Sequence, residues 1–155
     1  MIAFNDEPVW ALPMMTLEDE SPEELITDSI SELHADGGTE LFPAMQVAVD
    51  ALRNVDADVR HIIILSDGRS RGAERDSYFR LLDDANGSGI TVSTLGLGYD
   101  ADTSLLEDIA AQGGGRYYYV ENPESIPEIT FEEARAAGSQ SVLRGRFSPV
   151  QLSPS

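Results

Sequence analysis

The stretch Val59-Arg60-His61-Ile62-Ile63-Ile64-Leu65-Ser66-Asp67-Gly68 decides the fold. From Ile62 to Leu65 the residues are aliphatic without a polar break, so neither face of the segment suits water. This pattern predicts a strand over residues 59–66, buried in a parallel sheet. The run then stops at a carboxylate followed by glycine. That places Asp67 at the carboxyl end of a central strand, where open α/β sheets build their ligand sites. Asp-Gly is also an ordinary turn signal, so the pair alone does not settle the point.

Working outward, helix-type and strand-type patterns alternate on the carboxyl side. Tyr78, Phe79, Leu82 and Ala85 repeat at helical spacing over residues 74–85, ahead of Asn86-Gly87. Residues 90–98 read as a second strand. Asp102 is placed to cap a helix carrying Leu105, Leu106, Ile109 and Ala110, which Gly113-Gly114-Gly115 should terminate. Residues 116–120 read as a third strand and 127–137 as a final helix. On the amino side, Pro43 opens a helix with Met45, Val49 and Leu52 on one face. An earlier helix starts at Ser21-Pro22-Glu23-Glu24, with Ser21 as cap and Glu24 closing a capping box. Its apolar positions are Leu25, Ile26, Ile30 and Leu33, and it ends at Asp36-Gly37-Gly38. Residues 2–4 and 9–12, split by Asn5-Asp6-Glu7-Pro8, read as a β-hairpin. Strands alternating with helices predict an α/β fold: a three-layer α/β/α sandwich with a mostly parallel, doubly wound sheet and an antiparallel hairpin at one edge. The chain divides into one domain, residues 1–137, and a Ser-, Arg- and Pro-containing tail or linker, residues 138–155.

Composition removes whole classes of chemistry. The 155 residues suffice for one domain with a core. There is no cysteine, which excludes disulfides, thiolate metal sites and thiol nucleophiles. All ten basic residues are arginine, so no phosphate-loop lysine, Schiff-base lysine or receiver-domain lysine exists. Net charge is −18, and twelve acids precede the first arginine, Arg53. Nucleic acid and anionic membrane surfaces are poor partners for such a chain. No stretch approaches the roughly 18 apolar residues that cross a bilayer, and no secretory signal opens the chain, which reads as a soluble fragment. His61 sits within the apolar strand and reads as a core residue. His34 ends a helix, where a cation suits the dipole. Neither has a nucleophile partner in the sequence.

Three loops collect oxygen donors where strands and helices meet. Gly37-Gly38-Thr39-Glu40-Leu41-Phe42-Pro43-Ala44 carries a hydroxyl just before a helix. Leu65-Ser66-Asp67-Gly68 carries a carboxylate, and Leu97-Gly98-Tyr99-Asp100-Ala101-Asp102 carries two. A hydroxyl and a carboxylate from neighbouring loops suit a hard cation such as Mg²⁺, which takes oxygen ligands and keeps several waters.

Taken in order, these motifs resemble the von Willebrand factor A (VWA) domain family, of the bacterial type. The likeness runs from the Gly37-Gly38-Thr39 loop through Leu65-Ser66-Asp67-Gly68 and Ile90-Thr91-Val92-Ser93-Thr94-Leu95-Gly96-Leu97-Gly98. It continues through Leu105-Leu106-Glu107-Asp108-Ile109-Ala110 to Gly113-Gly114-Gly115-Arg116-Tyr117-Tyr118-Tyr119. The resemblance implies a metal-ion-dependent adhesion site (MIDAS) built from an Asp-x-Ser-x-Ser loop, a Thr and an Asp. It gives the last two roles to Thr39 and Asp67, with Mg²⁺ or Mn²⁺ as the ion and a protein partner donating an acidic residue to it.

The Asp-x-Ser-x-Ser loop is missing from its family position. Asp28-Ser29-Ile30-Ser31 has the wrong spacing and lies within a helix. Met1-Ile2-Ala3-Phe4 corresponds to the family's second strand, so the chain reads as truncated at its N-terminus. Either a central strand is lacking, leaving two unpaired edges, or the second family strand pairs directly with the fourth. The resulting expectation is a non-enzymatic protein-interaction module, metal-dependent when intact and binding metal weakly or not at all as this chain. The alternative is a degenerate, metal-free VWA scaffold. A hydrolase or phosphotransferase would have one well-placed Asp with no general base or lysine beside it. Relatives of this flavour include large membrane-anchored bacterial proteins; the sequence names neither compartment nor partner. Trp10 and Met14-Met15 read as core or hairpin cover. Tyr117-Tyr118-Tyr119 reads as an edge strand with alternating burial.

Overall fold

The computed structural model describes residues 1–16, 22–34 and 37–144. The deciding stretch forms β3 (Arg60–Ser66), the first of three parallel strands with β4 (Ile90–Leu97) and β5 (Gly114–Val120), in the order β3-β4-β5. Ile62 stands opposite Val92 and Ile64 opposite Thr94, so one face of the sheet is set by these residues and Tyr117. The other face carries His61, Ser93, Leu95, Arg116 and Tyr118. Crossovers through α3 (Arg75–Gly87) and α4 (Thr103–Gln112) join the three strands.

The core lies on the Ile62–Ile64 face. There Leu41 and Met45 of α2 (Leu41–Arg53), Tyr78 and Leu82 of α3, and Leu105, Leu106 and Ile109 of α4 are all 5% exposed or less. Except for Leu41, which the sequence pattern places in the loop before α2, these are apolar positions the helical spacing marks out. The opposite face is covered by α5 (Ile126–Arg144), entered through a short 3-10 turn at Pro123–Ser125. The molecule is thus the expected α/β fold, with helices on both faces of a parallel sheet.

Glycine allows β4 and β5 to meet where they do. A Cβ on Gly115 would overlap the Val92 carbonyl oxygen and Ser93 Oγ, and the register between these strands shifts between Val92 and Thr94. Close backbone approach of this kind needs a residue without a side chain. Gly113 caps α4 as expected, its N–H donating to Ile109 O at 2.7 Å, but β5 starts at Gly114 and absorbs the rest of the glycine run.

Several expectations are corrected. The hairpin strands are β1 (Ile2–Phe4) and β2 (Pro8–Trp10), earlier than residues 9–12, because Pro8 pairs with Phe4. Helix α2 begins at Leu41, with Pro43 inside its first turn, where a missing N–H costs no helical bond. Helix α5 runs past residue 137, where the sequence pattern ends it; residues 145–155 lie outside the described part. Trp10, Met14 and Met15 are 42–48% exposed and do not enter the core. Leu25 and Ile30 of α1 (Pro22–Ser31) are 45% and 51% exposed, because no described element covers that helix face. The proposed cap Ser21 and stop Asp36, and the side chains of Glu24 and Ile26, lie outside the described residues. Tyr117 and Tyr118 do face opposite sides of edge strand β5, and Tyr119 is 44% exposed.

The hairpin is a separate two-stranded sheet. Among the described residues β1 pairs only with β2, and β3 only with β4, so the direct closure of β1 onto β3 does not occur. No described helix is long and apolar enough to cross a membrane.

Candidate functional site

Four segments converge at the carboxyl end of β3. The hairpin turn supplies Asn5 and Asp6, the loop before α2 supplies Gly37, Gly38 and Thr39, the end of β3 supplies Ser66 and Asp67, and the chain beyond α1 supplies His34. Phe4, Asn5, His34, Gly37, Gly38, Thr39, Ser66 and Asp67 line a polar cavity of about 510 Å³. Thr39 and Asp67 therefore line the same cavity, at the carboxyl end of β3. Ser66 is 6% exposed and its hydroxyl points back to Gly68 O at 3.4 Å.

Local chemistry fixes these loops. A Cβ on Gly68 would stand 2.5 Å from Thr39 Oγ1, so the glycine after Asp67 is what allows the Thr39 hydroxyl to sit against the β3 loop. Arg71 N–H donates to Thr39 O at 3.2 Å, and Leu41 N–H to Ser70 Oγ at 3.2 Å. Ser70 Oγ in turn lies 2.9 Å from Tyr78 OH. Burial pushes the Tyr78 phenol up, which keeps it neutral beside these loops.

The hairpin organises the Gly37-Gly38 turn from the other side. Gly38 N–H donates to Asp6 Oδ1 at 2.9 Å, and Glu40 N–H to Asn5 O at 2.7 Å. Gly37 has φ of 80°, and a Cβ on it would stand 2.7 Å from Asp6 Oδ2. The carboxylate of Asp6 thus orders the turn that presents Thr39. Sequence reading gives no role to Asp6, Asn5 or Ser66. The available signal was weak, a carboxylate in a hairpin turn, which ordinarily does no more than favour the turn.

The third acidic loop behaves as a cap. Asp102 Oδ1 accepts from Leu105 N–H at 3.2 Å, and Asp102 N–H donates to Gly68 O at 3.3 Å. Asp100 is exposed and does not line the cavity. Asp102→Ala should lower stability by about 1 kcal/mol, the usual worth of such a cap, and leave any cation effect unchanged. Urea denaturation with and without Mg²⁺ checks both halves of this expectation.

Apart from His34, the side-chain donors lining the cavity include the hard oxygens of Thr39, Ser66 and Asp67, which suit Mg²⁺ in kind. Their number is small: among the described residues Asp67 is the one carboxylate lining it, and no group of three or more His, Asp or Glu side chains there could hold a metal. His61 is far from this chemistry in function. It belongs to the opposite sheet face, where its Nδ1 lies 2.6 Å from Thr91 Oγ1.

The parallel sheet thus carries a polar cavity at its strand ends, beside the Gly-Gly-Thr loop. The von Willebrand factor type A family model matches residues 2–119, and the chain belongs to that family. It is 33% identical over 130 residues to the uncharacterized protein sll0103 of Synechocystis, covering 83% of this chain and 31% of that protein. The fold is similar to that of a von Willebrand factor type A protein from Catenulispora acidiphila, with a TM-score of 0.74 at 20% identity, over 84% of this chain and 31% of that one. It is also similar to the mussel byssus proximal thread matrix protein 1 with a zinc-occupied MIDAS motif, with a TM-score of 0.58 at 18% identity, over 80% of this chain and 32% of that one. The chain thus spans about a third of the length of each.

Proposed function

We propose that this chain is the main part of a non-enzymatic protein-interaction module, and that its cavity at Thr39 and Asp67 is the remnant of a divalent-cation site. The observation that carries this reading is the convergence of Thr39, Ser66 and Asp67 on one polar cavity at the strand ends. In an intact domain, Thr39 and Asp67 would hold Mg²⁺ or Mn²⁺ with further ligands from a loop this chain lacks, and a partner's carboxylate would complete the shell. The ion would supply an electrostatic bridge between two acidic surfaces. The zinc-occupied relative supports a metal at the corresponding motif, though its likeness to this chain is one of fold.

Alone, the chain should bind the ion poorly. Mg²⁺ dehydrates reluctantly, and a single carboxylate offers little to replace its waters. Calorimetric titration with Mg²⁺ and Mn²⁺ at physiological salt should show no saturable micromolar site, because the general negative charge is screened within about 8 Å. A stoichiometric site abolished by Asp67→Ala would show that the residues present suffice. Restoring an Asp-x-Ser-x-Ser strand at the N-terminus should produce a saturable site that Asp67→Ala and Thr39→Ala both weaken. Failure of that restored protein to bind metal would favour the metal-free scaffold.

A further inference from the structure

Arginine side chains in this acidic chain find partners readily. Arg53 pairs with Asp50 and Asp84, Arg75 with Asp108, Arg116 with Glu133 and Arg135 with Glu132. Arg60 donates to Arg53 O and Arg80 to Ser77 Oγ. Arg69 and Arg71 stand apart: both are exposed, and neither has a side-chain hydrogen bond or ion pair among the described residues.

The segment that carries them is nonetheless held. Arg71 N–H donates to Thr39 O at 3.2 Å. Ser70, between the two arginines, accepts from Leu41 N–H at 3.2 Å and lies 2.9 Å from the hydroxyl of Tyr78, a core residue. Just beyond, Gly72 has a φ of 91°, and a Cβ on it would stand 2.6 Å from Glu40 Oε2. The Glu40 carboxylate therefore lies at Gly72 and pairs with neither arginine. Arg69 and Arg71 thus leave a fixed stretch of backbone next to the Asp67 loop, so little ordering is needed before they can meet a ligand.

A guanidinium is a planar donor fork that fits a carboxylate. One exposed ion pair gains little, so a small anion would not stay. Several carboxylates on one chain would, because each contact after the first is made at high local concentration. A uniformly dense polyanion, such as nucleic acid, would bring most of its charge against a chain of net charge −18. A peptide can space its acids among neutral residues and confine them to the two arginines. We infer that Arg69-Ser70-Arg71 is a docking point for an extended, acidic segment of a partner polypeptide. The contact needs no cation, so it stands or falls separately from the metal site. Asp67 opposes it: two residues from Arg69, its α-carbon is at most about 7 Å away, inside the screening length of about 8 Å.

The probe is a dye-labelled twelve-residue peptide alternating glutamate and glycine, titrated with the full chain in EDTA at physiological salt and read by anisotropy. It should bind saturably at 1:1, and a version with glutamine for glutamate should not. Arg69→Glu combined with Arg71→Glu should weaken binding by about tenfold or more, since two charge-assisted contacts become two repulsions. Circular dichroism should stay native, because neither side chain holds another group in place. Arg80→Glu, the same charge change on α3, should weaken binding by less than about twofold, its charge being screened from the peptide. Asp67→Asn should strengthen binding several-fold, the opposite of its effect on a partner bridged by a metal. Absence of saturable binding, a loss in Arg80→Glu equal to that in the double variant, or weaker binding by Asp67→Asn would overturn the assignment. A sulfated oligosaccharide that binds more tightly through the same two arginines would overturn the polypeptide class. Concentration-dependent dimerisation abolished by the double variant would make a second copy the occupant and overturn the partner assignment.

Discussion

Glu133→Ala should be the most damaging single substitution in this chain, lowering stability by about 3–5 kcal/mol, the range for stripping one partner from a buried charged network. Glu133 is 1% exposed on α5. Its carboxylate accepts from Ser93 Oγ at 2.6 Å, Tyr118 OH at 2.6 Å and Arg116 Nε at 2.9 Å. His61 Nε2 stands 3.3 Å from it, within ion-pair reach but off hydrogen-bond alignment. Removing the carboxylate orphans groups on all three parallel strands at once. Phe131, the large aromatic of α5, is 68% exposed and adds little packing to offset the loss. Chemical denaturation of the variant, with Glu133→Gln as the milder comparison, measures the loss.

The same network fixes a pH dependence. Burial pushes the Glu133 carboxyl up, but hydrogen bonds from Ser93, Tyr118 and Arg116 and the guanidinium charge pull it down further, to a net value below its ordinary 4.5. Burial pushes the His61 imidazole down, Glu133 pulls it up, Arg116 pushes it down, and the net value falls below 6.5. Both groups bind protons more readily in the unfolded chain, so both favour folding at higher pH. Stability should therefore decline as pH falls below 6.5 through the His61 contribution, and again below 4.5 as Glu133 protonates. Glu133→Ala should flatten the lower part of that profile. A wild-type stability that rises between pH 6 and 4 would contradict the assignment.

Gly115→Ala should rank next, at about 3 kcal/mol, the upper part of the usual range for overpacking. The added methyl collides with the Val92 carbonyl and Ser93 Oγ, which are sheet backbone and a ligand of Glu133, and neither can move without opening the β4–β5 pairing. The loss should appear in denaturation midpoint and as faster hydrogen exchange in β5. Gly87→Ala, with nothing within 4 Å of the added atom, is the internal control and should change little.

These residues show where sequence is informative. The strand at β3 was legible because a run apolar on both faces has few other homes, and Asp67 followed from where that run stopped. The cap at Asp102 was legible because capping is local. Thr39 could be set in a loop ahead of a helix because a glycine pair and a helix start bracket it, while its ligand role is what the family resemblance implies. Glu133 could not, since a carboxylate on a polar helix looks solvated until three strands from other parts of the chain are seen to point at it. Leu25 and Ile30 failed in the opposite sense: helical spacing reports that a face is apolar, not that something covers it.

One consequence of the Glu133 arrangement concerns the order in which the chain is made. By the time residue 120 has been synthesised, all three parallel strands exist, and His61, Ser93, Arg116 and Tyr118 stand ready on one face without their common acceptor. That acceptor arrives on α5. Domains assemble as units while synthesis proceeds from the N-terminus, so these strands must wait for α5 before their polar row can leave water. A nascent chain paused between β5 and α5 would hold the three parallel strands with one wet face, and emergence of α5 would be the step that buries it.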